Sequence, residues 1–292
     1  MARAKDTAVR FSTLSSRTIL ASLLLLSTLA WGRAPRPERS PEATERIFRR
    51  VYHFQAQGWQ EVRREVEARL RRPATDRPTA VAAVVYLMDH LGLRVGSRRY
   101  EEREEAVGVR PNGGAHASGP TFGASSLHKE HVRVEGDVVT LVFTGKAGKP
   151  WQKERRDPLL AAALRVFLAQ PGERLFQVPG WDATLVPVTE EDVRAFLAPK
   201  GALPKDYRTL HANRIYRESL GRQLAEAQAA SGALPVIDAR MKARAVKAAA
   251  TFLNHGEGTC RKNYLDPRNL EVATLDAAQL VAEWAAARSN AN

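Results

Sequence analysis

From Ser40 onward, apolar residues recur at a helical interval. Ser40 and Pro41 supply an N-cap and a first helical residue. Ile47, Val51, Phe54, Val62, Val66 and Leu70 then fall near a period of 3.6, with a break expected at Gly58. The run RRPATDRP ends this pattern, and Pro78 opens a second helix whose core face is Val81, Val84, Val85, Met88 and Leu91, closed by Gly92. The period changes to two in HVRVE (131–135) and VVTLVFT (138–144), which predict two strands joined at Gly136-Asp137. Helices are expected again over Pro158–Gln170, Thr189–Leu197, Lys205–Leu220, Asp238–Asn254 and Thr274–Arg288. Between the second helix and the strands, residues 101–120 read as a charged run followed by RPNGGAHASGP, a flexible surface insertion. No internal repeat interrupts the series. The fold class is therefore α+β and mainly helical, with a small antiparallel sheet.

Residues 1–39 stand apart from this pattern. Ile19–Gly32 reads ILASLLLLSTLAWG, preceded by Arg17 and ending in a small-x-small triplet, which has the shape of a secretory signal. At this length it is short for a membrane span, which needs about 20 residues. An organelle-type presequence and a start codon placed too early are the other readings. RAPRPERSPE, residues 33–42, follows as a basic linker. Residues 1–39 are thus assigned as leader and linker, and 40–292 as one domain.

Charge narrows the partner. The formal net charge is +13 and the isoelectric point about 10.3. Residues 1–40 hold seven basic against two acidic residues, a net of +5, which leaves +8 on the remainder. A basic body implies an anionic partner, most commonly nucleic acid. A genome rich in G and C also enriches arginine, which accounts for part of the excess. Cys260 is the only cysteine, so no intrachain disulfide is possible, and no Cys/His grouping has metal-ligand spacing. Cys260 is read as structural.

The candidate chemistry lies in four segments: LRVG with Arg94, TGKAGK with Lys146, KDYRT with Arg208, and HGEGTCRKNYLDP with His255 and Tyr264. A phenol with a reference pKa of about 10 is a poor nucleophile at neutral pH unless nearby charge favours the phenolate. The two arginines and the lysine are suitable sources of that charge. Lys146 is expected in the turn leaving the second strand, at a hairpin tip. Gly256 and Gly258 break the helix after His255 and are expected to put Tyr264 on a mobile segment. Taken singly, each residue has an ordinary structural role: Arg208 pairing with Asp206 or Glu218 on a helix face, His255 at a helix C-terminus favoured by the macrodipole.

These segments, in this order, resemble the catalytic domain of type IB DNA topoisomerases, in the poxvirus-like form also found in bacteria. The resemblance runs from about Ser40 to Leu270. It places the family's catalytic pentad on Arg94, Lys146, Arg208, His255 and Tyr264, and its DNA-positioning side chains on Tyr100, Lys205 and Asn213. It implies the type IB topoisomerase/tyrosine recombinase-like fold. The implied reaction is relaxation of supercoiled DNA through a 3′-phosphotyrosine, without cofactor, metal or ATP, by a monomer acting on double-stranded DNA with no small-molecule substrate. Cytoplasmic, nucleoid-associated localisation follows, or export or an organelle if the leader is genuine. Family members also carry a small N-terminal β-rich domain that closes over the duplex. The residues before Ser40 do not alternate like strands, so that domain is expected to be absent here and DNA binding to be weaker and more salt-sensitive.

Two alternatives remain open. A tyrosine recombinase uses the same chemistry but usually has a histidine three residues before the second arginine, where this chain has Lys205, and a nucleophile closer than the 56 positions separating Arg208 from Tyr264. The other is a DNA-binding relative without catalysis.

Overall fold

The computed structural model describes residues 39–72, 74–97, 106–109, 115–182, 184–271 and 276–289. The leader at 19–32, Tyr100 and residues 101–105 and 110–114 of the expected insertion lie outside them.

Helix α1 (Pro41–His53) starts where Ser40 Oγ accepts from Ala43 N at 3.2 Å. It does not break at Gly58. A π-helical turn, Phe54–Gly58, carries it into α2 (Trp59–Leu70). Helix α3 (Arg77–Leu91) is capped by Asp76, which accepts from Thr79 N at 2.8 Å. Every residue from Ala80 to Met88 is buried, so α3 is apolar on all sides and forms the centre of the fold. It stops at Gly92, in the left-handed region at φ 68°, where a Cβ would lie 2.6 Å from the Phe252 ring.

Where a flexible insertion was expected, β1 (Ala106–Val109) and β2 (Ala115–Ser118) pair antiparallel. Val109 pairs with Ala115 and Ala106 with Ser118, a pairing whose signal was outweighed in the sequence by the charged residues before it. The main sheet has three antiparallel strands in the order β3 (Val132–Glu135), β4 (Val138–Gly145), β5 (Lys149–Arg156). Strand β5 was not expected, because KPWQKERR has no apolar run. Its alternation is carried instead by Trp151, Lys153 and Arg155, which are less exposed than their neighbours. Pro150 is tolerated because β5 is an edge strand.

Helix α4 (Pro158–Leu168) is capped by Asp157, and a short hairpin of β6 (Gln177–Pro179) with β7 (Leu185–Pro187) leads to α5 (Glu190–Leu197), capped by Thr189. Helix α6 (Pro204–Ser231) runs 28 residues, well beyond the expected Leu220. Then come α7 (Ala239–Phe252), α8 (Glu257–Asn263), α9 (Pro267–Leu270) and α10 (Ala277–Ser289).

The buried apolar residues form two clusters. One gathers α1–α5 and the main sheet, and ends on α6 at Tyr207 and Leu210. The other begins on α6 at Ala212 and Tyr216 and takes in α7, Cys260, Tyr264 and Leu280. Helix α6 therefore belongs to both cores, and the change from one to the other falls between Leu210 and Ala212. No helix among the described residues is long and apolar enough to cross a membrane.

Helix α10 closes on α6 over Gly221, where a Cβ would run into the Leu280 carbonyl and the Trp284 side chain. Gly221→Val should lower stability by about 1–3 kcal/mol, since overpacking outweighs the gain in helix propensity. Thermal denaturation of the variant beside wild type checks this.

Candidate active site

The site is assembled where α3 and α7 end. The last carbonyls of a helix have no partner inside it and carry the negative end of its dipole. Two cations take up these carbonyls. Arg208, 2% exposed, donates through its terminal nitrogens to Gly92 O and, at 2.7 Å, to Leu253 O. Lys153 Nζ donates to Leu91 O at 2.8 Å and Phe252 O at 2.7 Å. Arg208 has neither of its expected helix-face partners: Asp206 is held by Arg50 at 2.7 and 2.8 Å, and Glu218 by Arg214 at 2.5 Å.

Just beyond the two helix ends come Arg94 and His255. Asn254 adopts φ 51°, and its amide donates to Pro150 O at 2.8 Å, tying the turn to β5. Arg94 Nη2 lies 3.1 Å from His255 Nε2. An arginine can only donate, so His255 Nε2 accepts and the ring carries its hydrogen on Nδ1. Burial, reinforced by the charges of Arg208, Arg94, Lys149 and Lys146, pushes His255 down to about 3. It is neutral at physiological pH.

Tyr264 lies under this pair, with its ring 5.1 Å from that of His255, 5.4 Å from Arg208 Cζ and 5.5 Å from Lys205 Nζ. Burial favours the neutral phenol. The charges of Arg208 and Arg94, a hydrogen bond from Arg208 and the charge of Lys205 outweigh it, and the phenol is held below its ordinary pKa. Burial pushes Arg208 down to about 10, against the opposing pull of Tyr264, which leaves the guanidinium charged at neutral pH.

Where a mobile segment was expected, Tyr264 is enclosed by packed structure. It is 3% exposed, directly follows α8, and packs in the second core. Asn213 fastens its backbone. The Asn213 amide donates to Thr209 O (2.7 Å) and Tyr264 O (2.8 Å), and its oxygen accepts from Asp266 N (2.8 Å) and Asn269 Nδ2 (2.9 Å). All four of its hydrogen-bonding capacities are thus used inside the protein. Asn213, expected among the DNA-positioning side chains, thus has its partners in the segment that carries Tyr264. Asp266 is held in turn by Tyr52 Oη at 2.8 Å and Arg268 at 2.8 Å. Neither Tyr52 nor Lys153 was picked out from the sequence. Tyr52 is one aromatic on an amphipathic helix, and Lys153 one cation in a polar strand.

Lys146 sits in the turn between β4 and β5, where Ala147 and Gly148 have φ 66° and 70°. It is exposed, and its charge reaches His255. The structure thus brings Arg94, Arg208, His255, Tyr264 and Lys205 together, with Lys146 on the facing hairpin. Cys260 is wholly buried, and burial pushes its thiol up to about 11 despite Arg208 and Arg261, which makes it inert packing.

Two titrations check this electrostatic picture. In an ultraviolet difference titration of wild type against Tyr264→Phe, the missing phenol should ionise below the ordinary tyrosine value of about 10. Adding Arg208→Met should move it above that value, because burial then acts unopposed. The His255 imidazole signals should stay unshifted across about pH 5–8, where an ordinary histidine titrates.

The chain matches the family model described as eukaryotic DNA topoisomerase I, catalytic core, over residues 42–111 and 112–288. It is also similar to DNA topoisomerase 1B of Acanthamoeba polyphaga mimivirus, at 23% identity over 207 residues, covering 68% of this chain and 56% of that protein. The chain thus spans little more than half the length of that relative. With all of 42–288 covered by the family model, the chain belongs to the DNA topoisomerase I catalytic-core family.

Proposed function

We propose that the chain relaxes supercoiled double-stranded DNA, as a monomer, by cutting and resealing one strand through a 3′-phosphotyrosine. The observation that carries this reading is the Tyr264 phenol, held below its ordinary pKa by Arg208, Arg94 and Lys205 next to a neutral His255. This arrangement has one nucleophile and surplus positive charge, and it suits a phosphodiester.

The Tyr264 oxygen attacks phosphorus, its proton passing to water, and the bond to the 5′-oxygen breaks. Arg94 and Arg208 hold the charge that builds on the non-bridging oxygens. His255, neutral, fixes Arg94 and offers one N–H. Lys146 protonates the departing 5′-oxygen from the hairpin. The free strand rotates about the intact one, and the 5′-hydroxyl reverses the attack. The phosphotyrosine conserves the bond energy, so ATP has no step to drive. The cationic side chains supply the charge stabilisation that a metal supplies in other phosphoryl transfers, so chelators leave the rate unchanged. Lys205 contacts the scissile phosphate or its neighbour, and Tyr100 does the same from outside the described residues. This reading includes kinship of the fold with the tyrosine recombinases, one catalytic domain from residue 40, and action on chromosomal DNA in the cytoplasm.

The direct experiment is plasmid relaxation in EDTA without ATP. Wild type should relax the plasmid and be trapped on the 3′ side of a nick, and Tyr264→Phe should do neither. DNA binding without relaxation by wild type would reject the reading. Proton donation by Lys146 has its own check. Lys146→Ala should cut ordinary DNA roughly 10²–10⁴-fold more slowly, the usual contribution of a general acid. A 5′-bridging sulfur, which leaves without a proton, should restore much of that rate; an unrestored rate would assign the donor elsewhere.

A further inference from the structure

Lys153 has no part in the reaction described above, yet it occupies an unusual place. It lies on the inward-turned side of β5 between Trp151 and Arg155, at a position where an apolar side chain would pack without cost. Its ammonium is set 4.3 Å from the Phe252 ring centroid and 5.1 Å from that of Trp151. Burying a charge there costs desolvation and side-chain entropy. Burial and, next, the charge of Arg208 bring its pKa down to about 8.

What it gains is specific. Its two acceptors, Leu91 O and Phe252 O, belong to the C-terminal ends of α3 and α7. Arg94 lies three residues beyond the first acceptor, and His255 three beyond the second. Seven residues before Lys153, on the same hairpin, is Lys146. A single ammonium therefore joins the strand carrying the proton donor to both helix ends that deliver the phosphate-binding pair. Arg208 joins the same two helix ends but makes no bond to the sheet. Among the described residues, Asn254 also joins this turn region to β5, through Pro150 O, but leaves α3 out.

We propose that Lys153 is a positioning residue, which holds the β4–β5 hairpin and its Lys146 in register with the helix ends that present Arg94 and His255. The proposal rests on the cleavage reading above. It acts through placement, since an ammonium turned inward onto two carbonyls makes no DNA contact of its own.

The test is single-turnover cleavage by the full chain carrying Lys153→Met, which keeps the stem against Trp151 and Phe252 and removes both donations. The cleavage rate should fall about 10–10²-fold, the scale of a misplacement near 1 Å, while DNA affinity stays within about twofold. The distinguishing readout is the 5′-bridging sulfur substrate. Because the loss arises in part from a misplaced Lys146, the variant's deficit should shrink several-fold on that substrate. An equal deficit on both substrates, a rate like wild type's, or a loss confined to affinity would overturn the proposal. Should Lys153→Met fail to fold, Lys153→Gln, which keeps a shorter donor, carries the same comparison. Wild type failing to cleave either substrate would instead remove the cleavage reading itself.

Discussion

Two helices that end against each other present four carbonyl oxygens with no partners of their own, and two cations from elsewhere in the chain supply them. Arg208 serves Gly92 and Leu253, and Lys153 serves Leu91 and Phe252. Water reaches this junction poorly, so the carbonyls need partners as much as the cations do. Loss of one donor leaves buried carbonyls unsatisfied, at about 1–3 kcal/mol for each such group. The residues that deliver chemistry follow directly from the two helix ends. Their geometry is therefore a property of the interior and owes little to flexible loops.

The same arrangement is electrostatically incomplete. Arg94, Arg208, Lys205, Lys146 and Lys149 all act on the small region around His255 and Tyr264. Burial and their mutual repulsion keep the imidazole uncharged, and the phenol relieves them by ionising. The buried Arg208 Nε has no partner among the described residues. Sites that accept such frustration are commonly functional, with stability supplied elsewhere. Here the supply is identifiable: two apolar clusters share α6, and a polar chain from Tyr52 through Asp266 and Asn213 secures the backbone of Tyr264.

Much of this was legible in the residue order. The cap at Ser40 marked a helix start that the structure keeps, and the alternation through Val139, Leu141 and Phe143 marked the central strand. The chemical residues were legible because each occurs in a short segment with recognisable neighbours. What escaped detection depends on contacts distant in sequence. Strand β5 alternates through Trp151 and Lys153, and the lysine counts as inward only once its two carbonyl partners are known. Tyr264 follows glycines that suggest freedom, and its burial comes from α6 and α7. The family resemblance assigns Asn213 to DNA positioning, from its place five residues after Arg208. Its four partners lie up to 56 positions away, beyond any local pattern. Helix α6 ran past Leu220 because α10, which covers its far half, is invisible to a reading of α6 alone.

The clasp at the helix ends draws only on main-chain oxygens. Every residue type at positions 91, 92, 252 and 253 offers the same carbonyl, so drift at Leu91 or Leu253 alters packing while leaving the acceptor in place. The geometry of the site is thereby insulated from much of the sequence that builds it. Change enters through narrow channels: the two donors themselves, the left-handed turn at Gly92, and the turn at Asn254.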